Sequence, residues 1–299
     1  MRALIRSRPS AGIAFMLLAV FFFAVNDALG KYVLATYSVG QMMLVRSITG
    51  LCIILPLLVG TRASPIPQTG ALWLHLVRGM LATAEAAFFF SALTMLPLAE
   101  VTTYYLAGPI YVTALSPWLL REHVGWRRWS GVLAGFCGVV LALHPSGGAF
   151  NIGSLSALIG SFAYACFMIT TRRVGETPAP VLLLWQFGVA LVFGCGATIV
   201  QGWRPPNAAG LALLVSLGVG SLLGHFSINM ALRFAAASVV VPYQYTMIVW
   251  GVLFGWRIFG ELVDVQTLIG AAIIIAAGLY IFLRERRVAI SAEEMALPE

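Results

Sequence analysis

Residues Ala92–Gly131 read ALTMLPLAEVTTYYLAGPIYVTALSPWLLREHVGWRRWSG, and residues Ala231–Gly270 read ALRFAAASVVVPYQYTMIVWGVLFGWRIFGELVDVQTLIG. At a constant offset of 139 residues Ala92 falls on Ala231, Tyr104 on Tyr243, Glu122 on Glu261 and Gly131 on Gly270. Identity is sparse, but the order of features is shared. Each copy runs from an Ala-Leu helix end through a tight turn and a long apolar span to a lone Glu, then into another apolar span. An internal repeat decides the architecture before any single element does. This one predicts a duplicated chain, with a first unit over residues 1–150 and a second over 151–299.

Composition names the solvent. Of 299 residues, 60% are apolar and 10% charged, with a mean hydropathy of +0.93. A soluble domain carries about 25% charged residues, so this chain cannot cover itself with polar groups in water. Lipid is the solvent it fits. The net charge of +7 forms no continuous basic face, because the arginines sit between apolar spans, and nucleic acid is not an expected partner. The four cysteines (Cys52, Cys137, Cys166, Cys195) lie scattered in apolar spans without metal-ligand spacing and read as small packing residues. Neither metal nor cofactor is expected. The basic start MRALIRSRPS leads into an apolar run without a clear cleavage site, so it reads as a retained first span.

A membrane-crossing helix needs about 20 apolar residues. On that measure ten spans are predicted: Gly12–Val33, Val39–Val59, Leu72–Met95, Ala99–Leu119, Trp129–Leu143, Gly153–Thr171, Val181–Val200, Leu211–Leu232, Ser238–Trp256 and Val265–Leu283. With the N-terminus inside, thirteen Arg residues fall on the inner side and only Lys31, Arg204 and Arg257 outside, with Arg46 and Arg78 within spans. That bias predicts a multi-pass protein of the inner membrane with both termini cytoplasmic. Five spans per half is odd, so the second half inserts upside down. The first spans of the two halves also correspond, Gly12 over Gly153 and Lys31 over Arg172. Inverted repeats characterise secondary transporters, which hold their site near the midplane between the halves.

The stretches VRSITGLCIILPLL, RGMLATAEAAFFFSAL and AGPIYVTALSPWLLREHVGWRRWSGVLAGFCGVVLAL, with VVVPYQYTMIVWGVLFGWRIFGELVDVQTLIGAAIIIAAGLYI, resemble the EamA-type members of the drug/metabolite transporter superfamily. The resemblance covers about Gly12 to Leu283 and is most specific at the two helix-plus-Glu units and the turn Pro242–Thr246. Within the superfamily the YddG-like amino-acid exporters are the members to compare first. The resemblance implies an all-α membrane protein of ten transmembrane helices, two inverted five-helix repeats around a central cavity. It implies a cavity lined mainly by spans one, three, four, six, eight and nine, and a cargo of small metabolites, often exported amino acids.

Charges inside a membrane are costly and mark candidate sites. Asn26 and Asp27 stand near the outer end of span one, and Asp27 is four residues from Lys31, so the two can pair. A gate or substrate contact and an anchoring ion pair are both open readings. Arg46 reads as a structural charge. Arg78 and Glu85 lie seven residues apart on one face of span three, about 10 Å along the axis, and together suit a zwitterionic substrate. Each could instead pair with another helix. His225 and Asn229 are four apart in span eight, the counterpart of span three, and read as cavity lining or as a helix–helix hydrogen bond. Tyr104, Tyr105 and Tyr245 are expected as gate or wall residues. Glu100 reads as a charge at a helix start, and Glu122 and Glu261 as caps of the helices that follow them.

The leading expectation is a secondary transporter exporting small metabolites, amino acids first, by alternating access. A multidrug exporter of hydrophobic organic cations is the alternative, which Arg78 opposes. No GxxxxGK[ST], HExxH or GxSxG occurs, so neither ATP hydrolysis nor an enzyme of those kinds is expected. The partners expected are a small-molecule substrate and the bilayer. A monomer suffices and a dimer is compatible.

Overall fold

The computed structural model describes residues 9–61, 72–119, 125–142, 151–174, 177–234 and 240–295, and among them no strand occurs. In chain order the helices are α1 (Pro9–Leu34), α2 (Val39–Thr61), α3 (Leu72–Leu93), α4 (Leu98–Tyr105), α5 (Gly108–Leu119), α6 (Trp126–Ala142), α7 (Ile152–Val174), α8 (Ala179–Gln201) and α9 (Ala208–Phe234). A 3-10 turn (Val241–Thr246) leads into α10 (Met247–Phe259), and α11 (Val265–Met295) follows. Among the described residues six helices, α1, α2, α3, α7, α8 and α9, are long and apolar enough to cross a membrane, and α6 and α11 carry shorter apolar stretches. The surface agrees with lipid as solvent: Ile199 and Val200 are 84% and 86% exposed, an arrangement water would penalise.

Two predicted spans are not continuous helices. The fourth breaks at Leu106-Ala107 into α4 and α5, and the ninth is a 3-10 turn before α10. A proline follows or enters each break, Pro109 in the first turn of α5 and Pro242 in the 3-10 turn. Proline has no N–H to give the preceding turn and disfavours the α conformation at the residue before it. At the first break the Ala107 N–H bonds Tyr104 O at 3.2 Å, the tighter i to i+3 pattern.

Packing runs between the two halves of the chain. α1 lies along α9, α3 along α7, α2 against α8, and α6 against α11. Glycines make the closest crossings. A Cβ at Gly194 of α8 would stand 2.6 Å from the Leu44 amide nitrogen of α2, and one at Gly270 of α11 would stand 2.8 Å from Gly138 O of α6. Small residues let membrane helices approach to backbone contact. The buried centre, with Met42, Tyr104, Leu98, Leu217 and Ile274 fully enclosed, joins both halves.

The face holding the C-terminal end of α1 is stitched by polar groups. Gln41 Nε2 donates to Arg204 O (2.7 Å), the Arg204 N–H returns a bond to Gln41 Oε1 (3.0 Å), and the Gly40 N–H donates to Gln201 Oε1 (2.9 Å). Asp264 caps α11 by accepting from the Thr267 N–H at 3.0 Å. The expectation that Glu261 caps the helix after it is therefore corrected, since that work falls to Asp264. Glu122 lies outside the described residues.

Candidate functional site

Three charges stand within electrostatic reach of one another inside the bundle, on three different helices. α1 carries Asp27, α2 carries Arg46 and α3 carries Glu85. All three are mid-helix and half-buried within the bundle, so each keeps accessible surface on the side where the helices converge. Tyr105 at the end of α4 and Tyr164 of α7 close the wall beside Glu85, with ring centroids 6.3 Å apart. The Tyr105 hydroxyl donates to Glu85 O at 3.1 Å, and its ring meets Phe89 edge-on at 4.9 Å. That bond is to the backbone carbonyl, so the Glu85 carboxyl stays available.

The two buried arginines are held differently. Among the described residues Arg46 gives one hydrogen bond, Nη2 to Ser221 Oγ of α9 at 2.7 Å, and its guanidinium stacks 5.6 Å from the Phe90 ring. Arg78 is 4% exposed and held at each guanidinium nitrogen: Nε donates to Thr171 Oγ1 (2.9 Å), Nη1 to Leu182 O (3.0 Å) and Nη2 to Gln186 Oε1 (3.4 Å), over the Phe167 ring. Sequence reasoning took Arg78 for the substrate cation and Arg46 for the structural one. The geometry separates them differently: Arg78 is held at all three guanidinium nitrogens and is 4% exposed, whereas Arg46 is bonded at one nitrogen and keeps accessible surface.

A relay of polar side chains joins them. Gln186 Nε2 lies 3.4 Å from His225 Nε2, and His225 Nδ1 lies 2.7 Å from Ser221 O. A carbonyl only accepts, so Nδ1 carries the proton and Nε2 accepts from the Gln186 amide. Beside Arg46 and Gln186 a small recess of about 20 Å³ opens between α2, α3 and α8, with Thr83 in its lining.

The remaining expected residues are placed as follows. Asn26 is 4% exposed and donates to Leu217 O at 2.7 Å, binding α1 to α9. Tyr104 is fully buried, its hydroxyl 3.2 Å from Glu100 Oε1 and 3.5 Å from Ala142 O, so it packs toward α6 and not toward the three charges. Tyr245 is buried with its hydroxyl over Gly278 of α11, and it too stands apart from the charges. The side chain of Asn229 lies outside the described residues. Asp27 does not pair with Lys31, which bridges Glu261 instead. Among the described residues no group of three or more His, Cys, Asp or Glu could hold a metal ion.

Comparison with known proteins identifies the family. The family model described as "EamA-like transporter family" matches residues 10–144 and again 151–283. An S-adenosylmethionine uptake transporter of Rickettsia prowazekii (strain Madrid E) is 26% identical over 92% of this chain and 94% of its own length. A riboflavin transporter of Vibrio cholerae is 28% identical over 93% and 94%. An uncharacterized transporter of Helicobacter pylori (strain J99) is 31% identical over 91% and 94%. A solved crystal structure superposes with a TM-score of 0.65 at 20% identity, covering 93% of this chain and 99% of that one, a likeness of fold alone.

Proposed function

The chain belongs to the EamA-like transporter family, and from that premise we propose that it carries small metabolites bearing an amino-acid head group across the inner membrane by alternating access. It is a transporter, not an enzyme. The observation that carries the cargo reading is the group Asp27, Arg46 and Glu85, which in this reading lines one internal space. An ammonium finds a carboxylate there and a carboxylate finds the free edge of Arg46, a complementarity that favours zwitterions. With both acids ionised, one acid remains after the head group is matched. It suits a second positive centre on the cargo, and Tyr105, Tyr164 and Phe89 offer ring faces to an aromatic one. S-adenosylmethionine, the cargo in the name of the Rickettsia relatives, combines these features and stands first, with free amino acids, aromatic ones included, second.

The architecture proposed is ten crossings, the broken α4–α5 and 3-10–α10 segments each counting once, in two inverted repeats over residues 1–150 and 151–299. Exchanging the halves turns the α1–α9 pairing into α7–α3 and leaves α2–α8 and α6–α11 in place, as an inverted repeat requires. Cytoplasmic termini follow from the distribution of Arg. Export, the sequence expectation, and uptake, as in the relatives' name, are two directions of one reversible cycle set by the cargo gradient.

Export of hydrophobic organic cations is the second reading, favoured by the paired acids and opposed by Arg46 between them. Counterflow in proteoliposomes separates these. Saturable exchange of S-adenosylmethionine or amino acids, reduced at least tenfold by Glu85→Gln and by Asp27→Asn at equal protein content, is the expected result. Exchange of organic cations alone moves the assignment to the second reading, and exchange of riboflavin alone rejects both.

A further inference from the structure

At the face holding the C-terminal end of α1, one side chain ties together segments from both halves. Lys31 of α1 forms an ion pair with Glu261, in the turn between α10 and α11, and donates to Leu96 O at 2.7 Å, in the turn before α4. Its ammonium also lies 5.4 Å from the Phe259 ring centroid at the end of α10. The second Glu261 oxygen accepts the Leu98 N–H at 2.9 Å and so caps α4. Glu261 is aimed by the turn itself: Gly260 adopts φ +66, a left-handed cap that glycine supplies at little cost, and the Glu261 N–H bonds back to Gly255 O at 3.0 Å. Lys31 and Glu261 are 13% and 21% exposed, so the pair is shielded on most sides.

The position of this contact gives it a consequence. Asp27 lies one turn deeper on α1, about 6 Å along the axis. The helix that Glu261 caps is α4, whose other end presents Tyr105 to Glu85. We propose that the Lys31–Glu261 contact is a latch closing the internal space on this face, holding α1, α4 and α10 together until the carrier opens there. Breaking it frees α10 and its turn from the α4 end, and the seam beneath parts first, where Thr102 of α4 meets Gly251 of α10. Lys31 and Glu261 are positioning residues in this account, and neither touches cargo. The inference rests on the transporter reading, but its test needs no cargo.

The test is sided labelling. In a chain with Cys52, Cys137, Cys166 and Cys195 replaced by alanine, Thr102→Cys places one thiol under the latch, where Thr102 is 3% exposed. Its reaction with a membrane-impermeant maleimide, added to the Lys31 face of membrane vesicles, is slow while the latch holds. Lys31→Met raises the rate about tenfold, the scale expected when one charge-assisted contact leaves the closed state. Glu261→Gln does the same while keeping a carbonyl oxygen for the Leu98 N–H, so it removes the ion pair and spares the cap. Lys31→Arg restores slow labelling. Unchanged labelling in both charge-removing variants overturns the latch, whether or not their melting temperatures fall. So does Lys31→Arg labelling as fast as Lys31→Met. Raised labelling with silent counterflow supports the latch and rejects only the cargo assignment.

Discussion

A buried arginine earns a functional reading by what its guanidinium has left unbonded. Arg78 spends its donors on Thr171, Leu182 O and Gln186, whereas Arg46 spends one on Ser221 and rests on Phe90. Lysine reproduces a charge but not a fork. Arg78→Lys should therefore leave buried acceptors unpaired and cost about 1–3 kcal/mol, read as a lower melting temperature in detergent at unchanged KM. Arg46→Lys should melt as the parent does and raise KM for a zwitterionic cargo. Equal loss of stability in both variants would remove the distinction. The sequence could not make it. Both residues are lone cations in apolar runs, and the hydrogen-bond partners that separate them lie 93 to 175 positions away. Asp27, Glu85 and Arg46 were each legible as single charges in apolar spans, but their grouping was not, since periodicity reports a residue's face and not what stands opposite it.

Among the elements, the two broken helices matter most to the site. Both breaks were written in the sequence as Gly108-Pro109 and Val241-Pro242, within the stretches that revealed the repeat; the turn at Pro242–Thr246 was read there, yet apolar length alone predicted an unbroken span through Pro109. Length responds to hydrophobicity, while the break depends on one missing N–H. In a bilayer a freed carbonyl is tolerated only where protein or a water-filled cavity receives it, and the α4 end does adjoin the internal space through Tyr105. Pro109→Ala returns a donor to the Tyr105 carbonyl and lets α4 continue into α5. The expected outcome is a more stable protein, by about 1 kcal/mol or more, that transports more slowly because Tyr105 is drawn away from Glu85. Calorimetric melting and counterflow on the same preparation check both halves of this statement. A stability gain with full transport would show that the break serves packing alone.

For the whole molecule, the repeat was readable because a constant offset needs only one chain to be seen. It says which helices correspond, but not which ones pack. The pairings are α1 with α9, α3 with α7, α2 with α8 and α6 with α11, so these extensive contacts reach across the halves. Backbone-close crossings such as Gly194 on Leu44 and Gly270 on Gly138 belong to them as well. Helix association in lipid is driven by close packing and hydrogen bonds, without a hydrophobic drive between helices. Either half alone would face lipid with the small-residue surfaces and the Asn26 amide that the other half should cover, its bond to Leu217 O included. Residues 1–150 and 151–299 expressed as separate chains should therefore fail to accumulate singly and recover counterflow when made together. Stable accumulation of one half by itself would mean that its helices pack internally, against the interleaved arrangement. Recovery from the pair would show that the connection between halves is dispensable while the crossings are not, which places the conformational cycle in the same interface that holds the fold together.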